Sequence, residues 1–157
     1  MNIVDLVDKN AVTVDLKAQE KDEVISELVD LFVSSGRIEK SKKSEVVKKI
    51  KERELLGSTG IGKGVAIPHA KCPNVKNMAA AFGISKEGIN YKSLDGELSY
   101  IFFLLIAPGE TPGPHLKALA KISRLLDDKF VRERLRMAKS PQEIFKIIKD
   151  EEAKKNQ

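Results

Sequence analysis

Apolar residues recur with a helical period in two stretches of the first half of the chain. In residues 21–35 they return every three or four positions, which predicts an amphipathic helix that ends at Gly36, a residue suited to a helix C-terminus. A second helix is predicted from Lys42 to about Leu55, with Ser41 as its N-cap. Two consecutive helices are therefore expected before the middle of the chain.

The helical period returns in the last third of the chain. One helix is predicted from His115, and a second helical segment runs from Lys129 to Ala138. The next helix has a strong start signal, in which Ser140 is the N-cap, Pro141 the first helical residue and Glu143 the third. Three helices are thus expected after residue 114.

Shorter apolar runs without a helical period predict β-strands. Residues 11–16 form one such run before the helices, and residues 65–67, 78–85 and 98–106 form three more in the middle of the chain. The last run is almost continuously apolar, which is typical of a strand that is covered on both faces. The order is strand, two helices, three strands and three helices, which predicts the α/β class and a three-layer α/β/α sandwich.

The size and composition fit one domain. The chain has 157 residues, of which 41% are hydrophobic, enough to form a core. We predict a domain over residues 1–150 and a polar C-terminal tail over residues 151–157. The longest apolar run, residues 100–107, is far too short to cross a bilayer, and the single cysteine, Cys72, cannot form an internal disulfide. A cytoplasmic location is therefore expected.

Basic residues outnumber acidic ones by 28 to 23, which gives a net charge of +5. Solvated helix faces account for such an excess, and attraction for an anion is the alternative. Nucleic acid is a poor candidate for this anion, because aromatic residues make up only 5% of the chain and no zinc-finger, RNA-binding or convincing helix-turn-helix signature is present. We therefore predict no nucleic-acid partner.

A glycine-rich segment, residues 57–64, approaches the pattern of a nucleotide-binding P-loop but departs from it in chemistry and context. Gly64 stands where a magnesium-binding Ser or Thr is required, and a strand follows where a helix is required. The segment leads instead to Pro68 and His69, where a stiff backbone presents an imidazole at the end of a predicted strand. His69 is thus a candidate nucleophile, with a hydrogen-bonded structural histidine as the alternative; no ligand cluster around it indicates a metal site.

Two further residues could bind an anion beside His69. His115 lies at a predicted helix N-terminus, where unpaired N–H groups favour an anion and disfavour a protonated imidazole. Arg53 lies near the end of the second helix, and its planar fork suits an anion with three oxygens. The alternatives are a helix-capping histidine and an ordinary surface arginine.

Two segments resemble a known family. Residues 53–70, RELLGSTGIGKGVAIPHA, are similar to the signature of the fructose/mannitol-type IIA domains of the bacterial sugar phosphotransferase system, and residues 114–126, PHLKALAKISRLL, are similar to its second histidine segment. The similarity extends over about residues 1–150. It implies an α/β/α sandwich with a mixed β-sheet, in the element order predicted above.

The resemblance also implies a function for each residue that matches the motifs. His69 would accept a phosphoryl group from the histidine phosphocarrier protein HPr and pass it to a IIB component. His115 would hydrogen-bond the phosphoryl group, Arg53 would supply positive charge, and Ser58 and Thr59 would give weak support to the phosphate. The step would need no metal and no cofactor.

The resemblance leaves more than one function open. The leading hypothesis is the phosphoryl-carrier IIA component of a sugar transporter, with its IIB partner on a separate chain; docking to a membrane IIC complex, if it occurs, would go through IIB. The second is a nitrogen-regulatory IIA protein, which binds regulators according to its phosphorylation state. The third is a non-catalytic binding module on the same fold, against which the two histidines and Arg53 argue.

Overall fold

The structure, a computed structural model, describes residues 1–109 and 112–155. Within these residues the helices are α1 (Ile3–Leu6), α2 (Lys21–Ser34), α3 (Lys43–Leu55), α4 (Pro112–Leu126), α5 (Lys129–Met137) and α6 (Pro141–Lys155). The strands are β1 (Val7–Thr13), β2 (Gly60–Gly62), β3 (Val65–Ala66), β4 (His69–Lys71), β5 (Ala79–Ile89) and β6 (Ser99–Ala107). No helix in these two ranges is long and apolar enough to cross a membrane.

The strands form one mixed sheet in the order β1-β5-β6-β3-β2, and β4 pairs with β6 beyond the end of β3. Strands β3 and β4 run parallel to β6, as β1 does to β5, whereas the pairs β5–β6 and β2–β3 are antiparallel. The predicted mixed sheet is confirmed.

Helices cover both faces of this sheet, as the three-layer prediction requires. Successive side chains of a strand point to opposite faces. In β6, Ile101, Phe103 and Leu105 accordingly pack into a core with apolar residues of α4, α5 and α6. The alternate residues of β6 pack into a second core with α2 and α3; they are Phe102, Leu104 and Ile106. The α/β/α sandwich therefore follows from the continuous apolar run of this central strand.

The element order differs from the prediction at the shortest elements. The structure adds α1, β2 and β4, which have four residues or fewer and are too short to show a period in the sequence. The first strand spans Val7–Thr13 rather than residues 11–16. Ser41 is not the N-cap of α3, because residues Lys40–Lys42 form a 3₁₀ turn and α3 begins at Lys43.

The capping prediction for the last helix is confirmed, but the helix continues further than expected. Ser140 Oγ accepts a hydrogen bond from Glu143 N at 3.1 Å. The tail predicted from Glu151 is helical as far as Lys155, since Glu152 accepts hydrogen bonds from the backbone at the start of α1 and Glu151 forms an ion pair with Arg134 at 2.6 Å. Residues 156 and 157 of the predicted tail lie outside the described residues.

Candidate active site

The segment that carries His69 is a strand interrupted by a proline. Strands β3 and β4 lie along the same edge of β6, and at the break between them Pro68 O accepts a hydrogen bond from Leu105 N at 3.0 Å. Ile67 N turns away from β6 and donates instead to Thr59 O at 2.9 Å. Proline has no N–H and a fixed φ, so the break is local and rigid. His69 is thereby held at the start of β4.

The ring of His69 is oriented by its own strand. Nδ1 lies 2.8 Å from the carbonyl oxygen of Ile67. A carbonyl oxygen only accepts hydrogen bonds, so Nδ1 carries the proton in the neutral imidazole and Nε2 has the free lone pair. The ring nitrogen of His69 with an available lone pair is therefore Nε2.

The surroundings of His69 favour the neutral imidazole. Burial lowers its pKa below the usual 6.5, and the positive charge of Arg53 lowers it further. The hydrogen bond to Ile67 O and the charge of Glu54 act in the opposite direction without reversing the shift. At neutral pH the Nε2 lone pair is consequently available for bond formation.

His115 stands beside His69, in the first turn of α4. The ring centroids of the two histidines are 5.4 Å apart and the ring planes are inclined by 56°. His115 is only 4% exposed, and among the described residues its Nδ1 is buried without a hydrogen-bond partner. Burial, reinforced by the charges of His69 and Lys71, lowers the pKa of His115 to about 4. His115 is therefore a neutral, buried imidazole next to His69.

Arg53 lies in the last turn of α3 and is held by the chain that follows it. Its Nη1 donates to Gly57 O at 2.9 Å, beyond the end of the helix. Arginine has five N–H donors in a fixed fork, so this contact orients the guanidinium and leaves other donors free for an anion. The electrostatic effect of Arg53 on His69 agrees with this placement.

The three predicted residues meet in one open groove of about 600 Å³. Its lining residues are Lys49, Arg53, His69, Ala70, Lys71, His115, Leu116 and Leu119. No carboxylate belongs to this lining within the described part of the chain. A somewhat larger groove, of about 660 Å³, lies beside Arg37 and contains neither histidine, so size alone does not locate the chemistry.

Ser58 and Thr59, the predicted supporting hydroxyls, do not belong to this lining. Ser58 Oγ donates to Tyr91 O at 3.3 Å, and Thr59 is buried, with its hydroxyl hydrogen-bonded to the Glu54 carboxylate and 3.2 Å from the Tyr91 hydroxyl. Glu54 also accepts from Thr59 N at 3.1 Å and pairs with Lys21 at 2.9 Å. These contacts fix the glycine-rich segment to the end of α3, so the structure places both hydroxyls in the framework behind the groove.

Comparison with protein families identifies the family of this chain. The family described as "Phosphoenolpyruvate-dependent sugar phosphotransferase system, EIIA 2" matches residues 5–151. The chain belongs to this EIIA family. The resemblance inferred from the two sequence segments is thus confirmed over nearly the whole chain.

The relatives of this EIIA chain carry two kinds of name. The chain is 38% identical over 94% of its length to the fructose-specific EIIABC component of Bacillus subtilis, of which it spans 23%. It is 34% identical to the nitrogen regulatory protein of Bradyrhizobium diazoefficiens, with 94% of this chain and 95% of that protein covered. A fructose-specific EIIA component of Haloferax volcanii is 34% identical, with 82% of each chain covered.

Solved structures agree with the fold of this EIIA chain. The nitrogen regulatory protein IIA-Ntr of Neisseria meningitidis superposes with a TM-score of 0.84 at 29% identity, over 93% of this chain and 98% of that one. The IIA mannitol–phosphorylated IIB mannitol complex of Escherichia coli matches with a TM-score of 0.75 at 22% identity, over 92% of this chain and 99% of the matched chain, which shows the shared fold.

Sequence reasoning missed three charged residues at or behind the groove of this EIIA chain. Lys71 follows His69 by two residues, the spacing that places side chains on one face of a strand, and Lys49 precedes Arg53 by four, the spacing of one helix face. Glu54 lies inside the matched motif, next to Arg53, but the Glu54 side chain points into the protein. The spacings of Lys71 and Lys49 are visible in the sequence. The role of Glu54 is not, because its partners Lys21 and Thr59 are distant along the chain or across a turn.

Proposed function

We propose that this EIIA chain is a phosphoryl carrier of a bacterial sugar phosphotransferase system of the fructose/mannitol type. His69 Nε2 accepts the phosphoryl group from phospho-HPr, and the group then passes to a IIB component on a separate chain. The observation that carries the proposal is the hydrogen bond from His69 Nδ1 to Ile67 O, which leaves a neutral Nε2 in a groove with a second neutral imidazole and an arginine.

The proposed reaction is an in-line displacement at phosphorus. The Nε2 lone pair of His69 forms the new N–P bond while the N–P bond to the HPr imidazole breaks, and the HPr nitrogen keeps the bonding pair. No proton has to leave His69, because Nε2 carries none in this tautomer. The absence of carboxylates from the described groove lining is consistent with a reaction that requires no general base.

Positioning and charge carry most of the rate in such a transfer. The phosphoryl oxygens stay negatively charged from reactant to product, so they need donors that are already in place. Arg53 supplies a fork held by Gly57 O, and His115 supplies an imidazole whose ring centroid lies 5.4 Å from that of His69. Both groups are fixed before the phosphoryl group arrives, which lowers the reorganisation needed during transfer.

A second candidate function is supported by two comparisons. Both the 34% identity to the Bradyrhizobium nitrogen regulatory protein over nearly its full length and the TM-score of 0.84 to IIA-Ntr of Neisseria favour a regulatory IIA protein. Such a protein would carry the same phosphohistidine, and its phosphorylation state would govern which regulator it binds.

The proposed carrier function is tested by phosphorylation from phosphoenolpyruvate. The purified chain, incubated with labelled phosphoenolpyruvate, enzyme I and HPr, is expected to acquire an acid-labile, base-stable label, as a phosphohistidine would. Omitting HPr is the control and should leave the chain unlabelled. A chain that stays unlabelled in the complete mixture would contradict both candidate functions.

The next step separates transport from regulation. The labelled chain is mixed with a fructose-type or mannitol-type IIB protein, and the label on each protein is followed with time. Rapid transfer to IIB supports the transport function. Retention of the label by the EIIA chain in the presence of each IIB protein would favour the nitrogen-regulatory function.

The rate of phosphoryl acceptance should depend on pH in a way set by His69. Because burial and Arg53 lower its pKa below 6.5, the neutral nucleophile predominates at neutral pH and is lost only as pH falls further. We expect a single-turnover rate with phospho-HPr that falls as pH decreases and reaches half of its neutral-pH value only below pH 6.5. Rapid-quench measurements check this, with the acid stability of phospho-HPr alone as control; a half-maximal rate above pH 6.5 would contradict the assignment.

A further inference from the structure

The groove contains more positive charge than the proposed residues account for. Besides Arg53 it is lined by Lys49 and Lys71, and no carboxylate lines it within the described residues. A groove lined in this way attracts anions. The position and partners of each lysine decide which of the two can bind the phosphoryl group.

Lys71 lies on the same strand and the same strand face as His69. Both belong to β4 and are two residues apart, a spacing of about 6.6 Å along a strand, with both side chains on one side. Lys71 is exposed, and its flexible four-carbon stem lets the ammonium move toward a group attached to His69. The ammonium can thus approach a phosphoryl oxygen without any change in the backbone.

The charges around Lys71 are consistent with a cation that faces the site. Lys71 lines the groove together with both histidines, and its positive charge contributes to the lowered pKa of His115. Among the described residues, no carboxylate forms an ion pair with Lys71, whereas Lys21 and Lys63 lie 2.9 Å and 2.6 Å from their acidic partners. Lys71 is therefore available to an anion.

Lys49 lines the same groove from α3. It precedes Arg53 by one helical turn, and its charge acts on the Cys72 thiol, whose pKa burial raises to about 11, rather than on either histidine. It also forms a long ion pair of 3.8 Å with Glu52. Lys49 is thus a matched control for Lys71, with the same charge in the same groove and no effect on the pKa of the imidazoles.

We propose that the Lys71 ammonium binds a non-bridging oxygen of the phosphoryl group during its transfer to His69. This inference rests on the proposed function. While the His69 Nε2–P bond forms and the HPr N–P bond breaks, Lys71 donates hydrogen bonds to the oxygens and neither gains nor loses a proton. It would be a third donor, on the strand side of the groove, opposite Arg53 on the helix side.

The test is single-turnover transfer from phospho-HPr at increasing concentrations of phospho-HPr, with wild type and three variants. Lys71→Gln is expected to lower the rate at saturation about tenfold, the scale of one charge-assisted hydrogen bond, with little change in the half-saturating concentration. Lys71→Arg should restore part of the rate, because it keeps the charge and donors. Lys49→Gln should have little effect, because Lys49 already pairs with Glu52 at 3.8 Å and does not contribute to the pKa shift of either histidine.

Each result distinguishes the inference from simpler explanations. An unchanged saturating rate in Lys71→Gln, or a change confined to the half-saturating concentration, would overturn it, since the latter indicates protein docking alone. An equal loss of rate in Lys49→Gln would also overturn it, because it would indicate a non-specific effect of the positive charges in the groove. If Lys71→Gln shifted the thermal unfolding midpoint, the Lys71→Arg result would decide. Wild type that takes up no label would contradict the proposed function itself.

Discussion

Replacement of His69 by alanine is expected to abolish phosphorylation of this chain by phospho-HPr. In the proposed reaction, the Nε2 atom of His69 uses its lone pair to form the bond to phosphorus. The described groove lining offers no serine, cysteine or carboxylate to replace it. His115 is a poor substitute for His69 as acceptor, because its ring is almost fully buried and its surroundings lower its pKa to about 4. The measurement is label incorporation from phosphoenolpyruvate in the presence of enzyme I and HPr.

Two controls make this result specific. His115→Ala should still acquire the label, which shows that the loss belongs to His69 and not to the pair of imidazoles. The His69→Ala protein should unfold at a temperature similar to wild type, because His69 is only partly buried. An undiminished label on His69→Ala would move the acceptor elsewhere in the chain.

The acceptor atom can be tested in the same preparation. The hydrogen bond between Nδ1 and Ile67 O predicts that the phosphoryl group is attached to Nε2. Nitrogen-15 spectra of the phosphorylated protein distinguish the two ring nitrogens. A phosphoryl group on Nδ1 would mean that the ring turns over before reaction, and it would contradict the ring orientation that the Ile67 hydrogen bond imposes.

Replacement of His115 by alanine is expected to leave phosphorylation possible but to slow the onward transfer to IIB about a hundredfold, the usual cost of removing one fixed donor to a developing charge. His115 is neutral, buried and adjacent to His69, and its Nδ1 has no partner in the described part of the chain. A neutral imidazole carries one N–H donor, and a donor held beside His69 can hydrogen-bond a phosphoryl oxygen. The rate is measured by mixing the labelled protein with IIB.

The control for this effect is the next residue, Leu116, which is 64% exposed and lines the same groove. Leu116→Ala removes contact area at the rim without removing a donor, so it should change the concentration of IIB needed rather than the rate at saturation. His115→Gln retains an N–H donor and should recover part of the rate. Transfer at the wild-type rate by His115→Ala would remove His115 from the mechanism.

The fold was predictable where the apolar pattern is long enough to be periodic. Helix α2 and the start of α6 were found from spacing and caps, and the continuous apolar run of β6 predicted helices on both faces of the sheet. Strands β2 and β4 were missed because three residues carry no period and because Pro68 separates β4 from β3. The continuation of α6 from Glu151 to Lys155 was not predicted, because the partners of its carboxylates lie far away along the chain.

The candidate site, like the fold, was predictable only in part. His69, His115 and Arg53 were chosen from local context, and the groove that unites them is formed by α3, β4 and α4. Ser58 and Thr59 were chosen because they lie in the same motif, but their hydroxyls point to Tyr91 and Glu54. The direction of a side chain at a turn depends on what packs behind it, which a motif does not specify.

The sequence by itself therefore determined the α/β/α class and the family, and it offered His69, His115 and Arg53 as candidates for binding a phosphoryl group. The class follows from periodicity, the family from the resemblance of residues 53–70 and 114–126 to its motifs, and the candidates from local backbone context and side-chain chemistry. Only the tertiary structure decided which nitrogen of His69 is free, that the two imidazoles are neighbours with lowered pKa values, and that Lys71 shares their groove. Hydrogen-bond direction, burial and electrostatic fields depend on atoms brought together from distant parts of the chain.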